Sequence, residues 1–137
     1  MSLFRRIFGK EEEPAPAPVE EDEAKPVPRS ARPRSLSGLD VKDFLRQHPN
    51  VVLDMWAPWC RPCRALAPIV EHAAQQFAGD VAFGKVNIDR DPSLAQRWEV
   101  QSIPTLLFFH EGELVKRQVG ILPPDAFEKK IRRTFGL

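Results

Sequence analysis

From residue 35 onward, apolar residues fall into spacings that switch between helical and extended periods. Over Gly38–Gln47, Leu39, Phe44 and Leu45 stand among polar neighbours, which predicts a helix. Residues 51–56 (Val-Val-Leu-Asp-Met-Trp) are apolar almost throughout, the mark of a short central strand. A second helix is expected over 60–78, with Leu66, Ile69, Val70, Ala73 and Phe77 on one side, Pro68 as a kink and Gly79 where a C-terminal cap belongs. A strand follows at 81–88. Asp91-Pro92 then reads as an N-cap with proline at the first helical position of a short helix ending at Trp98. Thr105–His110 and Glu113–Val119 flank Glu111-Gly112, a hairpin signal. Pro123-Pro124 opens a last helix with Phe127, Ile131 and Phe135 at a four-residue spacing, Asp125 near its start and Arg132 and Arg133 near its end, in keeping with the helix dipole.

The order α-β-α-β-α-β-β-α, with or without an edge strand before Gly38, predicts an α/β domain. Its sheet is mixed, four- to five-stranded, and flanked by helices on both faces. The alternating part is parallel with right-handed crossovers, and the last two strands form a hairpin.

The first 34 residues break this rhythm. Residues 11–34 hold six of the chain's 14 prolines, and 11–23 carry six Glu and one Asp. Such a segment buries too little apolar surface to offset chain entropy and is expected to be a disordered Pro/Glu-rich linker. Leu3, Phe4, Ile7 and Phe8 would share one face of a short amphipathic helix over 2–9, suited to an anionic membrane surface or a partner; a disordered terminus is the plainer alternative. The expected organisation is a tail over 1–34 and one domain over 35–137.

Across 137 residues the net charge is only +1, unlike a dedicated nucleic-acid binder. The start lacks the apolar core of a secretory signal peptide, and the expected location is cytoplasmic, with peripheral contact at the inner membrane surface through residues 2–9 as an option.

The chain's two cysteines, Cys60 and Cys63, are three positions apart. Structural zinc normally takes four N or S ligands, and no second pair is present, so no metal is expected. Two inert core thiols would be poorly placed in Trp-Cys-Arg-Pro-Cys at a strand-to-helix junction. There Cys60 meets the positive end of the helix dipole and free N–H groups, which stabilise the thiolate that attacks disulfides. Cys63, one turn on, is expected to be shielded and to resolve the mixed disulfide, with Pro62 restricting the loop. Asp54 interrupts the apolar strand. Either it sits at an edge facing water or, since Val52 and Trp56 share its face, it is buried, with a raised pKa and the ability to act as general base toward Cys63.

The stretches from Asp54 to Pro68 and from Ser102 to Gly112, with Lys85-Val-Asn-Ile-Asp89 and Val119-Gly120, resemble the thioredoxin family over about 100 residues. The resemblance implies a thioredoxin fold and a cis Ile103–Pro104 bond beside the disulfide. It also implies an apolar docking surface of Trp59, Ile103, Pro104, Gly120 and Ile121 around Cys60, with Arg61 and Pro62 adjoining it. Lys85 would tune Asp54, a solvated strand-end lysine being the alternative; Trp56 is expected to pack in the core. The implied activity is reduction of protein disulfides by dithiol exchange. It needs no bound cofactor beyond the Cys60–Cys63 disulfide, takes electrons from a thioredoxin-reductase-type flavoenzyme, and is carried out by a monomer. A disulfide oxidant or isomerase, and a non-catalytic binding module held by its tail, are the alternatives. The family usually has glycine where Arg61 stands, and its first strand would here be reduced or drawn from 32–37.

Overall fold

The computed structural model describes residues 31–137. The expected amphipathic helix over 2–9 and most of the linker lie outside the described residues. The elements are β1 (Arg34–Ser35), α1 (Gly38–Gln47), β2 (Asn50–Trp56), α2 (Arg61–Gln76), β3 (Ala82–Asn87), α3 (Pro92–Arg97), β4 (Thr105–His110), β5 (Glu113–Val119) and α4 (Pro124–Phe135). One five-stranded sheet has the order β1-β3-β2-β4-β5, with β1, β3 and β2 parallel and β4 and β5 antiparallel.

β2 is buried on both faces because each face has its own helical layer. Val52 packs with Leu66, Val70 and Phe77 of α2 and its C-terminal end and with Phe127 and Ile131 of α4. Val51, Leu53 and Met55 pack with Val41 and Phe44 of α1 and Leu94 of α3. This explains the apolar run that only Asp54 interrupts: alternation is lost when neither face meets water.

The edge strand that the sequence left open exists and crosses the boundary expected at residue 34, since Arg34 pairs with Gly84, Ser35 with Lys85, and Ala31 is already buried. Gly84 is what allows the chain after β1 to lie so close. A Cβ there would stand 2.6 Å from Leu36 Cδ1 and 2.9 Å from Leu53 Cδ2, inside van der Waals contact.

Three local expectations are revised. Leu39 is 91% exposed, and Val41 with Phe44 forms the buried stripe of α1 instead. α2 ends at Gln76, ahead of the expected 78, and continues through Pro68. Asp91 occupies the N-cap position of α3, yet its carboxylate accepts from the Gly38 backbone N–H at 3.1 Å and so ties α3 to the start of α1. The Glu111-Gly112 turn has positive φ at both residues (50° and 83°), the conformation that two-residue hairpins need to match strand twist.

Because β4 runs against β2, the start of β4 lies at the same end of the sheet as the ends of β2, β3 and β5. Met55 faces Thr105, and Thr105 faces Val119. Three connections therefore converge there: 57–60 before α2, the segment before β4, and the one after β5.

Candidate functional site

Cys60 is the N-cap of α2, and a disulfide joins it to Cys63 with the Cα atoms 5.2 Å apart. The Cys63 backbone N–H donates to Cys60 Sγ at 3.2 Å. That amide is one of the free donors of a helix's first turn, so the helix directs a positive dipole end and an N–H at one sulfur. Pro62, in the first turn, gives up an N–H that would have no intrahelical acceptor anyway. Both sulfur residues are largely enclosed, with Cys60 at 4% and Cys63 at 2% exposure, so the shielding expected for Cys63 extends to Cys60 in the oxidised pair.

The lid over the pair comes from the neighbouring connections. Ile103 and Pro104 are joined by a cis peptide bond. The Ile103 carbonyl oxygen lies 3.8 Å from Cys60 Sγ, and Ile103 packs with Ala57 and both cysteines. Gly120, at φ 87°, donates its N–H to the Pro104 carbonyl at 2.8 Å, which brings the segment after β5 against the cis-proline segment. Trp59 (66% exposed) and Ile121 (47%) are the large apolar side chains left open at this end, with Val119 beside them. Arg61 and Pro62 are exposed on the first turn of α2.

Asp54 is buried at 2% exposure, which settles the choice between an edge and a core carboxylate. It shares the Val52 face, the side of the sheet covered by α2 and α4, and its Oδ1 has no hydrogen-bond partner among the described groups. Burial pushes its pKa up to about 7, while the Lys85 charge pulls in the opposite direction. Lys85 faces Asp54 across the β2–β3 pairing, and its Nζ sits over the Trp56 ring, 4.4 Å from the centroid. It therefore acts on Asp54 through space; the ion pairs among the described residues, Asp43–Arg46 and Glu128–Arg132, are elsewhere. Trp56 is half-buried against the disulfide cluster.

Two residues join the site that the pattern alone did not single out. The Asp89 carboxylate accepts from the Trp59 indole N–H at 2.9 Å and holds the exposed ring in place. The Arg64 guanidinium donates to the Pro58 carbonyl at 3.0 Å, bracing the 57–60 turn from the helix side. Asp89 lies 30 positions from its partner, a separation at which no sequence spacing signals contact. Arg64 is one residue past the motif, where an arginine reads as a solvated helix residue.

Comparison with known proteins gives a consistent result. The thioredoxin family model matches residues 35–133. Thioredoxin 1 of Synechococcus elongatus is 48% identical over 82 residues, 60% of this chain and 77% of that protein. Thioredoxin 1 of Nostoc sp. is 41% identical over 92 residues, 67% of this chain and 86% of that protein. Among solved structures, a thioredoxin mutant from Halobacterium salinarum superposes with a TM-score of 0.74 at 32% identity, covering 82% of this chain and 98% of that one. Oxidised mitochondrial thioredoxin 3 of Saccharomyces cerevisiae gives 0.68 at 30% identity, covering 74% and 94%.

Proposed function

The chain belongs to the thioredoxin family and is a thiol–disulfide oxidoreductase of the protein-disulfide reductase type; on that premise we propose that Cys60 is its nucleophile and Cys63 its resolving thiol. The observation that carries this assignment is the Cys60 sulfur at the N-cap of α2, receiving the Cys63 N–H at 3.2 Å.

In the reduced protein the Cys60 thiolate attacks one sulfur of a client disulfide. A mixed disulfide forms and the client's other sulfur leaves as a thiolate. Asp54 then takes the Cys63 proton. The Cys63 thiolate attacks Cys60 Sγ, the second client sulfur leaves, and the two electrons of the dithiol have passed to the client. A carboxyl with a pKa near 7 suits this step, because near neutral pH it can both accept the proton and give it up. Lys85 limits how far burial raises Asp54. The client's chain lies on Trp59, Ile103, Pro104, Gly120 and Ile121, with Arg61 and Pro62 at the margin.

The carrier of electrons is the Cys60–Cys63 pair itself, with no added cofactor. The substrates are protein disulfides, and a thioredoxin-reductase-type flavoenzyme is the donor we assign. A dithiol that acts as a reductant must be kept reduced by its donor, and we place the protein in the cytoplasm as a monomer. No helix among the described residues is long and apolar enough to cross a membrane. The binding-module reading has less support, since both thiols and the buried carboxyl are present together, and the oxidant and isomerase readings have less support because the relatives found are thioredoxins.

An insulin-reduction assay with dithiothreitol as donor tests the assignment. Wild type is expected to precipitate the insulin B chain and Cys60→Ser to be inactive, whereas pre-reduced Cys63→Ser, freed of dithiothreitol, holds a client as a mixed disulfide. Trapping through Cys63 in the Cys60→Ser protein would overturn it.

A further inference from the structure

Resting on that reading, we infer that Arg61 and Arg64 form a cationic rim that selects client disulfides flanked by acidic residues. The two are three positions apart on α2, hence adjacent on its surface, and both are exposed. Arg64 is held in place by its bond to the Pro58 carbonyl at 3.0 Å, so one guanidinium is fixed at a carbonyl two residues from Cys60, with its remaining donors free to face solvent. The other, Arg61, stands inside the redox loop itself.

The nearby acids do not cancel this charge. Asp89 and Asp91 keep their charges in their bonds to the neutral Trp59 indole and Gly38 N–H, but Arg61, Arg64 and Arg90 outnumber them, and Asp54 is enclosed beneath the surface. Arg90, between the two engaged acids, is also exposed. The segment on the other side of the disulfide, from Gly120 to Pro124, carries no charge at all. An extended client advances about 3.3–3.6 Å per residue, so residues one to three positions from its reactive cysteine come within reach of both guanidiniums. A carboxylate there meets two donor arrays, and a lysine meets like charge. Rim charges act chiefly on the encounter rate and on its salt dependence.

The test uses the reduced full-length protein and two short synthetic peptides, each closed by one disulfide, with either Glu or Lys flanking the cysteines. Second-order reduction rates are measured by stopped flow. The Glu peptide is expected to react about three- to tenfold faster at low ionic strength, with the ratio approaching one at about 0.5 M salt. In the double variant Arg61→Gln/Arg64→Gln, where the new amide at position 64 keeps an N–H donor for the Pro58 carbonyl, the ratio is expected to fall severalfold. A change in thiolate reactivity alone would move both peptides equally and leave the ratio intact. Equal rates for the two peptides in wild type at low salt, or a ratio unmoved by the double substitution, would overturn the inference. Failure to reduce either peptide would instead overturn the reductase reading.

Discussion

Asp54 is the residue at which stability and activity pull apart. Its carboxyl goes from an ordinary 3.8 to about 7 on folding. An acid raised in this way binds its proton more tightly when folded. Its favourable contribution is complete below pH 3.8, declines as pH rises toward 7, and is gone above that. Three pKa units amount to roughly 4 kcal/mol at most, at about 1.4 kcal/mol per unit. Asp54→Asn is therefore expected to raise stability against urea at pH 8 by up to about 4 kcal/mol and to change it little near pH 4. Its turnover near pH 7 should fall, with the inflection near 7 lost from the pH–rate profile. Equal stability gains at both pH values would mean that desolvation of the charge is not the cause. The presence of Asp54 in the core could be read from the sequence because its same-face neighbours are apolar. Its lack of a hydrogen-bond partner could not, since that depends on what α2 and α4 bring above it.

Arg61 gives a second test on single residues. One guanidinium in water-exposed surroundings roughly 6–8 Å from the sulfur contributes on the order of 0.5–1.5 kcal/mol toward the thiolate. For a two-electron couple that is about 10–30 mV. Arg61→Gly is expected to be less oxidising by that amount in a glutathione redox titration, with the difference shrinking at high salt. An equally oxidising Gly variant would remove the electrostatic argument.

At the level of elements, the sheet was legible because burial imposes periodicity: residues 51–56, 81–88 and 105–110 announce strands, and Phe127, Ile131 and Phe135 announce α4. The helix boundaries and contacts between elements were less so. Leu39 satisfied an apolar pattern yet points away, because Val41 and Phe44 already fill the space against β2 and β3. Asp91 has the identity of a cap and works as a tie between helices. Local sequence offers both choices and tertiary packing decides. The β1–β3 junction yields a direct test. Gly84→Ala would force Leu36 and Leu53 aside in a filled layer, and such overpacking costs about 1–3 kcal/mol. Chemical denaturation is expected to show a midpoint lowered accordingly. The redox potential should stay put, because Gly84 lies three residues before Asn87 at the active end of β3. A potential that moved with stability would tie the strand to the site.

On the scale of the whole chain, the acidic and proline-rich run before residue 31 and the domain after it are separable in composition. Limited proteolysis is expected to cut before residue 31 first and to leave a fragment that still reduces small disulfides. Liposome flotation with anionic vesicles at low salt decides between the two readings of Leu3, Phe4, Ile7 and Phe8: a lipid-docking face makes the full chain float and a Leu3→Ser/Phe4→Ser/Ile7→Ser/Phe8→Ser variant not, whereas a disordered terminus leaves both in solution.

The site's convergence at one end of the sheet follows from topology, since an antiparallel β4 must begin where β2 ends. The same topology has a mechanical consequence at β1. Any load applied through the N-terminal segment passes the buried Ala31 and reaches a strand of two residues, paired only to Gly84 and Lys85 and followed at once by Leu36 packed over Gly84. Such a strand yields first under tension. The force would strip β1 from the edge while β3, β2 and β4, which carry the redox end, remain paired. By this geometry the two-residue edge strand is the expected first point of failure, ahead of the longer strands that end beside Cys60.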